Sequence, residues 1–272
     1  MKIYISADME GVCGITNIKQ VLGDSREYEE ARKLMTNEVN AAIEGALDGG
    51  AVDITINDSH GYMRNIVFDD LNPQAKLISG FPKQMIMMEG INETYDGAVF
   101  IGYHAMAGTK GVLAHTISRN IFSSIEINGV KMGEFGLNAA LAGHFNVPIL
   151  MVSGDDVLQE EVVKLVPEAE YAQVKKAVST SAAEYISPIK AQSIIREKMR
   201  LALKNLNKYK AFKPSYPVNL EIILANPLIT DIVQAIPGVK RVSANTIAYV
   251  AKDFIETMKV IFIIITTGSY AL

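Results

Sequence analysis

The fold is decided at residues 3–11, which read Ile3-Tyr4-Ile5-Ser6-Ala7-Asp8-Met9-Glu10-Gly11. The apolar and small residues predict a buried strand over residues 2–7, and two acids follow that strand directly. Side chains two positions apart in an extended segment share a face, so Asp8 and Glu10 repel each other unless a cation lies between them. Gly11 fits a sharp turn with a close backbone approach. This stretch therefore predicts a strand with a candidate site at its carboxyl end.

Two further apolar runs end in the same way, each at a histidine. His60 follows the run 54–59, and His104 follows the run 98–103, although the chain has only four histidines. Sites in open α/β sheets are built at the carboxyl ends of the strands. Imidazole and carboxylate together suit zinc and its neighbours. These positions therefore predict a metal site; the alternatives are solvated loop acids and ordinary loop histidines.

Four more side chains are weaker candidates on spacing alone. His115 could be a third ligand, or an unliganded acid–base or oxyanion-stabilising group. Glu134 begins a predicted helix, where the helix dipole alone explains an acid, but a two-metal site needs another carboxylate. Asp58 could orient the imidazole of His60. Cys13 has no adjacent base in the sequence, which disfavours it as a nucleophile.

The order of strand-like and helix-like segments predicts an α/β fold with a mostly parallel central sheet flanked by helices. Asn128-Gly129 between two β-rich runs predicts one antiparallel hairpin. We divide the chain into an α/β metal-site domain at residues 1–190 and a smaller C-terminal α+β part at residues 191–272. Within that part, the pattern predicts a helix over Thr246–Met258 and a core strand over Val260–Ile265.

The composition narrows the class of protein. A hydrophobic content of 49% and a mean hydropathy of +0.16 fit a buried parallel sheet, and they fit a protein that buries more surface in an oligomer. A net charge of −4 gives no basic surface, so no nucleic-acid partner is expected. The single cysteine indicates a reducing compartment. With no signal-peptide core and no run of membrane-spanning length, we expect a cytoplasmic protein with no membrane partner.

The motif Ser6-Ala7-Asp8-Met9-Glu10-Gly11 matches the pattern Ser-x-Asp-x-Glu-Gly. That pattern marks the zinc-dependent D-aminopeptidase family, the kind associated with bacterial dipeptide-transport operons. The chain resembles this family over essentially its whole length, because four further motifs agree in order and spacing. They are Asn57–Gly61, Gly102–Ala105, Leu113–Thr116 and Gly133–Gly136. Walker A, Gly-x-Gly-x-x-Gly, His-Glu-x-x-His and Gly-x-Ser-x-Gly motifs are absent from the sequence.

The resemblance implies a dinuclear zinc aminopeptidase that hydrolyses N-terminal residues, D-configured ones in particular, from short peptides with metal-activated water. It implies two zinc ions per subunit and a homodecameric ring whose active sites face an inner chamber. The metal ligands that it implies are Asp8, Glu10, His60, His104 and Glu134. Asp8 matches the position that bridges the two metals, and His115 matches a position that acts directly in catalysis.

Two other classes of function remain open on the sequence. The first is a different dinuclear metallohydrolase, such as an amidase or a phosphoesterase; a strongly basic substrate pocket would favour phosphate, and no arginine cluster flanks the motifs. The second is a non-catalytic metal-binding ring protein, which would not need five ligands and His115 as well.

Overall fold

A seven-stranded sheet forms the centre of the computed structural model, which describes residues 1–23 and 25–272. With strands numbered in chain order, its members are β1 (Lys2–Ala7), β2 (Asp53–Asp58), β3 (Ala75–Ile78), β4 (Gly97–Ile101), β7 (Ile149–Asp155), β8 (Glu170–Ser179) and β9 (Ala182–Tyr185). They lie in the order β3-β2-β1-β4-β7-β8-β9, and only the β8–β9 pair is antiparallel.

A second sheet of five strands is antiparallel throughout. Its members are β5 (Phe122–Ile127), β6 (Val130–Lys131), β10 (Val218–Leu224), β11 (Lys240–Arg241) and β12 (Thr246–Ala251). The β5–β6 pair is the hairpin that Asn128-Gly129 predicts, and both turn residues have the positive φ that such a turn requires.

Seven α-helices accompany the two sheets in the part of the chain described. They are α1 (Ile18–Val21), α2 (Arg26–Asp48), α3 (Glu134–His144), α4 (Asp156–Leu165), α5 (Pro188–Lys204), α6 (Pro227–Val233) and α7 (Phe254–Gly268). The predicted fold class is confirmed: a mostly parallel central sheet is flanked by helices, and a smaller antiparallel sheet with its own helices stands beside it.

Both faces of the central sheet are covered, which explains its apolar strands. Alternate residues of β1 point in opposite directions. Ile3 and Ile5 join the apolar cluster formed with α2 and α5. Tyr4 joins the cluster on the other face, which contains α3, α4 and the second sheet. The helices α2 and α5 approach closely, because a Cβ on Gly45 would lie 2.3 Å from the carbonyl oxygen of Arg196.

The order of the strands places the candidate site. Strand β1 lies between β2 and β4, with Ala7 in register with both Asp58 and Ile101. The chain runs outward from β1 to one side through β2 and to the other through β4, so β1 and β4 flank the switch point of the sheet. The segments that follow these three strands therefore meet at one edge.

Two predictions for the C-terminal part are wrong. Residues 246–251 form strand β12, where a helix was expected, and the apolar run 260–265 lies within helix α7, where a strand was expected. Asp253 explains both differences, because its side chain accepts a hydrogen bond from the amide of Glu256 and so caps the start of α7. A short apolar run fits a buried strand or a buried helix equally well until its cap is recognised.

Helix α7 together with the short helical turn after it, Phe254–Ala271, is the one described segment that could cross a membrane on length and composition alone. Its apolar residues Phe254, Met258, Ile261 and Ile264 are buried in the core of the chain, as they are in an ordinary core helix.

The division at residue 190 stays a prediction. Helix α5 begins at Pro188 and packs on the central sheet, and strand β5, from the middle of the chain, belongs to the second sheet.

Candidate metal centre

The loops after β1 and β4 cross at van der Waals distance, and this crossing sets the geometry of the site. The amide of Asp8 donates to the carbonyl of Ile101 over 2.8 Å, and the amide of Gly11 donates to that of Gly102 over 2.7 Å. A Cβ on Gly11 would lie 1.8 Å from the carbonyl oxygen of Tyr103. Only glycine fits there, as the sequence predicts. The crossing holds Asp8 and Glu10 against the loop that carries His104.

One half of the site is formed by Asp8, Glu10 and His60. The His60 Nδ1 atom lies 2.9 Å from Glu10 Oε2 and 3.4 Å from Asp8 Oδ1. On its other side, His60 Nε2 lies 2.7 Å from the backbone carbonyl oxygen of Val21. A proton on Nε2 donates to that carbonyl, which fixes the ring and leaves the Nδ1 lone pair facing the two carboxylates.

The other half is formed by Asp8, His104 and Glu134. His104 Nε2 lies 3.3 Å from Glu134 Oε1 and 3.5 Å from Asp8 Oδ2, and its Nδ1 atom lies 3.0 Å from the carbonyl oxygen of Ala105. Glu134 is the first residue of α3, which places its carboxylate on the same edge. The two oxygens of Asp8 therefore face different histidines, one in each half of the site.

Several polar atoms at this centre have no protein partner. Within residues 1–23 and 25–272, Asp8 Oδ2, Glu10 Oε2 and His104 Nε2 are buried and make no hydrogen bond. Donor atoms of these three residues lie within 4.8 Å of one another, a spacing that a metal ion can bridge. Buried polar atoms are almost always satisfied, so this group fits a cation held by carboxylate and imidazole, the donors that zinc takes.

The electrostatics of the centre lead to the same conclusion. Burial and the neighbouring Glu10 carboxylate raise the pKa of Asp8 to about 7. Burial opposes ionisation of Glu10 as well, but the adjacent His60 outweighs it and holds the pKa of Glu10 well below its usual range. Burial also opposes protonation of His104, yet Glu134 and Asp8 raise its pKa to about 10. These shifts show that positive charge is favoured beside the three buried acids Asp8, Glu10 and Glu134, and a divalent metal held by unprotonated imidazoles would supply that charge.

His115 lies against the second half of the site. Its ring stacks on that of His104, with the centroids 4.2 Å apart, and its Nε2 atom lies 3.8 Å from Glu134 Oε1. Its Nδ1 atom lies 2.9 Å from the carbonyl oxygen of Leu113. Burial and the charge of His104 lower the pKa of His115, which favours the neutral ring. The donor atoms of His104, His115 and Glu134 also lie within 4.8 Å, so geometry permits His115 to be a ligand or a free acid–base group.

The backbone that carries His115 is held in an unusual conformation. Leu113 has a φ of 50° and Ile117 a φ of 60°, values that a β-branched residue such as Ile117 rarely adopts. The amide of Ile117 donates to Glu134 Oε1 over 2.5 Å. Such conformations persist only where the surroundings enforce them, and they concentrate at functional sites.

A cavity of about 500 Å³ opens onto the centre. Its floor carries polar side chains: Asp8, Glu10, His60, His115 and Glu134. Much of its wall is apolar, and that wall includes Ile18, Val21, Met63, Phe81, Ile117 and Ile265. Among the lining residues described, Arg119 is the one arginine or lysine. The volume suits a small molecule or a short peptide and falls within the usual range for ligand pockets.

One detail of the sequence-based interpretation changes, the role of Asp58, whereas the structure agrees that Cys13 is not a nucleophile. Asp58 does not orient His60: its carboxylate accepts from the amides of Asn65 and Ile66, and the carbonyl of Val21 contacts His60 instead. A backbone carbonyl has no sequence signature, so this contact could not be predicted. Cys13 is buried, and burial raises the pKa of its thiol to about 11, which is unsuited to a nucleophile.

Comparison with known proteins agrees with this geometry. The model of peptidase family M55, described as D-aminopeptidase, matches residues 1–263. A D-aminopeptidase of Bacillus subtilis (strain 168) is 38% identical over 264 residues, which are 97% of this chain and 96% of that protein. A solved structure, the Zn-dependent D-aminopeptidase DppA from Bacillus subtilis, described as a self-compartmentalizing protease, superposes with a TM-score of 0.96 at 37% identity. The superposition covers 99% of this chain and 98% of that one. The chain belongs to the M55 family of D-aminopeptidases.

Proposed function

We propose that this chain is a zinc-dependent aminopeptidase that removes N-terminal D-residues from short peptides, with two zinc ions in each subunit. The observation that carries the proposal is the position of Asp8, whose two carboxylate oxygens face His60 Nδ1 and His104 Nε2. A carboxylate placed between two imidazole donors is suited to hold two metals at once. The zinc-dependent relative, which matches almost the whole chain, supports the same reading.

The two halves of the site give each metal its own donors. Asp8 Oδ1, Glu10 Oε2 and His60 Nδ1 would hold the first zinc. Asp8 Oδ2, His104 Nε2 and Glu134 Oε1 would hold the second. When bound, the zinc pair supplies Lewis acidity for the scissile carbonyl group and lowers the pKa of a water molecule toward neutrality.

His115 supplies the proton transfer in this scheme. With its Nδ1 proton donated to the Leu113 carbonyl, the Nε2 atom carries the free lone pair and points toward the centre. Burial lowers the pKa of His115, which favours the neutral ring before reaction. His115 Nε2 accepts a proton from the attacking water and then gives it to the nitrogen of the leaving amine.

The surroundings favour a peptide with a free amino end. A free α-amine in its neutral form could bind a metal held by Asp8, Glu10 and Glu134, and that contact would orient the N-terminal residue in the cavity. A phosphate ester is disfavoured, because the described lining carries only Arg119 as a lysine or arginine to neutralise it. An amidase acting on a small amide is the nearest alternative, since the same centre could attack any carbonyl group that fits the cavity.

The experiment that decides among these functions is a panel of di- to tetrapeptides with matched D- and L- N-terminal residues, assayed with and without a chelator. The proposal expects hydrolysis of the peptides with a D-residue and a free α-amine. It also expects little turnover of N-acetylated peptides and none after chelation. Hydrolysis of acetylated peptides at the same rate would indicate an amidase instead.

The bridging position of Asp8 leads to a test of metal content. Asp8→Ala should empty the centre, because both metals lose a donor, whereas Glu134→Ala should weaken only the half formed with His104. Elemental analysis after dialysis is expected to give nearly metal-free protein for Asp8→Ala and about one zinc per chain for Glu134→Ala. Equal zinc content in the two variants would contradict the bridging role.

We also propose that the protein forms a homodecameric ring that encloses its active sites in the cytoplasm. The self-compartmentalizing relative supports the ring, and exposed apolar side chains such as Phe81, Ile189 and Tyr270 provide surface that assembly could bury. Light scattering should give the mass of about ten chains, and folded proteins should not be cleaved, because closed symmetry limits access. A fully active monomer would overturn the enclosure.

A further inference from the structure

Lys175 is a buried cation that the proposed chemistry does not use. It lies on β8, is 2% exposed, and forms no ion pair within the described part of the chain. Its Nζ atom instead donates to three backbone carbonyls, those of Glu10, Val12 and Ile15, the last two over 3.1 and 2.7 Å. All three protons of the ammonium group are thereby satisfied.

The carbonyls that Lys175 contacts belong to one short loop, residues 10–15, which begins at the proposed zinc ligand Glu10. An acid also holds this loop: Glu38 of α2 accepts a hydrogen bond of 2.9 Å from the amide of Cys13. Lys175 is thus the one side chain, among those described, that hydrogen-bonds the carbonyl of Glu10 itself. Burying an ammonium group without a carboxylate partner is costly, and a structural filler would not need the charge.

We propose that Lys175 is a positioning residue that fixes the loop 10–15 and thereby holds the Glu10 carboxylate in place to bind zinc. The inference rests on the proposed function, because it takes Glu10 as a metal ligand. It also predicts a change in zinc affinity opposite to the change that simple electrostatics predicts. A positive charge close to a metal site repels the metal, so removing it should tighten zinc binding if charge alone mattered. If Lys175 acts by holding the Glu10 carboxylate in position, removing Lys175 should weaken zinc binding.

The test measures zinc affinity by competition with a chromophoric chelator, together with the absorption spectrum of the cobalt-substituted protein. Lys175→Met should weaken zinc binding about 10- to 100-fold, as changes to groups that support metal ligands do. The cobalt spectrum should change, because the donor geometry changes. Lys176→Met is the matched control: it removes the same charge from the neighbouring, exposed position, and its zinc affinity should equal that of the native protein.

A second control separates positioning from general loss of stability. Ile222→Ala creates a cavity in β10 of the second sheet, in a different apolar cluster from loop residues Val12 and Ile15, and should destabilise the fold while leaving zinc affinity and the cobalt spectrum unchanged. If Lys175→Met does not fold, Lys175→Gln replaces it; the shorter amide keeps donors but not the reach, and at least a tenfold loss is expected.

The outcomes distinguish this inference from the proposed function. Native protein that binds no zinc would refute the proposed function itself. Native protein that binds zinc, with a Lys175 variant that binds it equally or more tightly, would refute only the positioning role. A loss of affinity in Ile222→Ala as large as that in the Lys175 variant would refute it too.

Discussion

The variant His104→Ala should lose nearly all peptidase activity and about half of its bound zinc. His104 Nε2 is the imidazole donor between Asp8 Oδ2 and Glu134 Oε1, so its removal leaves one half of the centre with carboxylates only. The metal contribution to such hydrolysis is several kcal/mol. Because each 1.36 kcal/mol is a factor of ten, kcat/KM should fall by about a thousandfold or more.

The matched control for this variant is His144→Ala. His144 lies at the other end of α3, where its ring contacts Tyr216 and no residue of the centre. It should keep full zinc content and a near-native rate. Both proteins are checked by circular dichroism and thermal unfolding, and a His104→Ala protein that is folded, has full zinc content and is fully active would show that the metal lies elsewhere.

The variant His115→Ala should keep both zinc ions and lose rate. If His115 Nε2 moves the proton between water and leaving amine, kcat should fall by about 10²- to 10⁴-fold, the usual worth of a positioned acid–base group. KM should change little, since the interaction lost is made chiefly in the transition state. Steady-state kinetics with the best D-peptide, paired with elemental analysis, separates these quantities.

The zinc content of the His115 variant decides between the roles that the geometry permits. Its Nε2 atom lies as close to Glu134 and His104 as a third ligand would require. Loss of zinc from His115→Ala would therefore show that His115 is a metal ligand. A native rate in that variant would show that His115 has only a structural role. His115→Gln is a useful companion, because the amide can occupy a similar volume but cannot transfer the proton, so its kcat should be low as well.

The sequence predicts the placement of the centre well because that placement follows from strand order. Apolar runs that end in Asp8, His60 and His104 become neighbouring parallel strands, and the carboxyl ends of neighbouring parallel strands share one edge. Gly11 was likewise predictable, because two backbones in contact leave no room for a side chain. Local pattern and global topology agree at these positions.

The sequence does not predict side-chain contacts with backbone carbonyl groups, or contacts between residues that are far apart in the sequence. The carbonyl of Val21 on His60 and the three carbonyls on Lys175 involve groups that every residue possesses. Lys175 lies 165 positions from Glu10, and in the sequence it stands next to an ordinary exposed lysine. Residues 260–265 of helix α7 are predicted as a strand because a short apolar run has no decisive period.

The most direct test of the central claim is reconstitution of the metal-free protein. The chain is treated with chelator, dialysed, and titrated with zinc while hydrolysis of a dipeptide with a D-configured N-terminal residue and bound metal are measured on the same samples. The account predicts that activity disappears with the metal, returns on addition of zinc, and reaches its maximum at about two zinc ions per chain. Full hydrolysis by protein shown to be metal-free would contradict it.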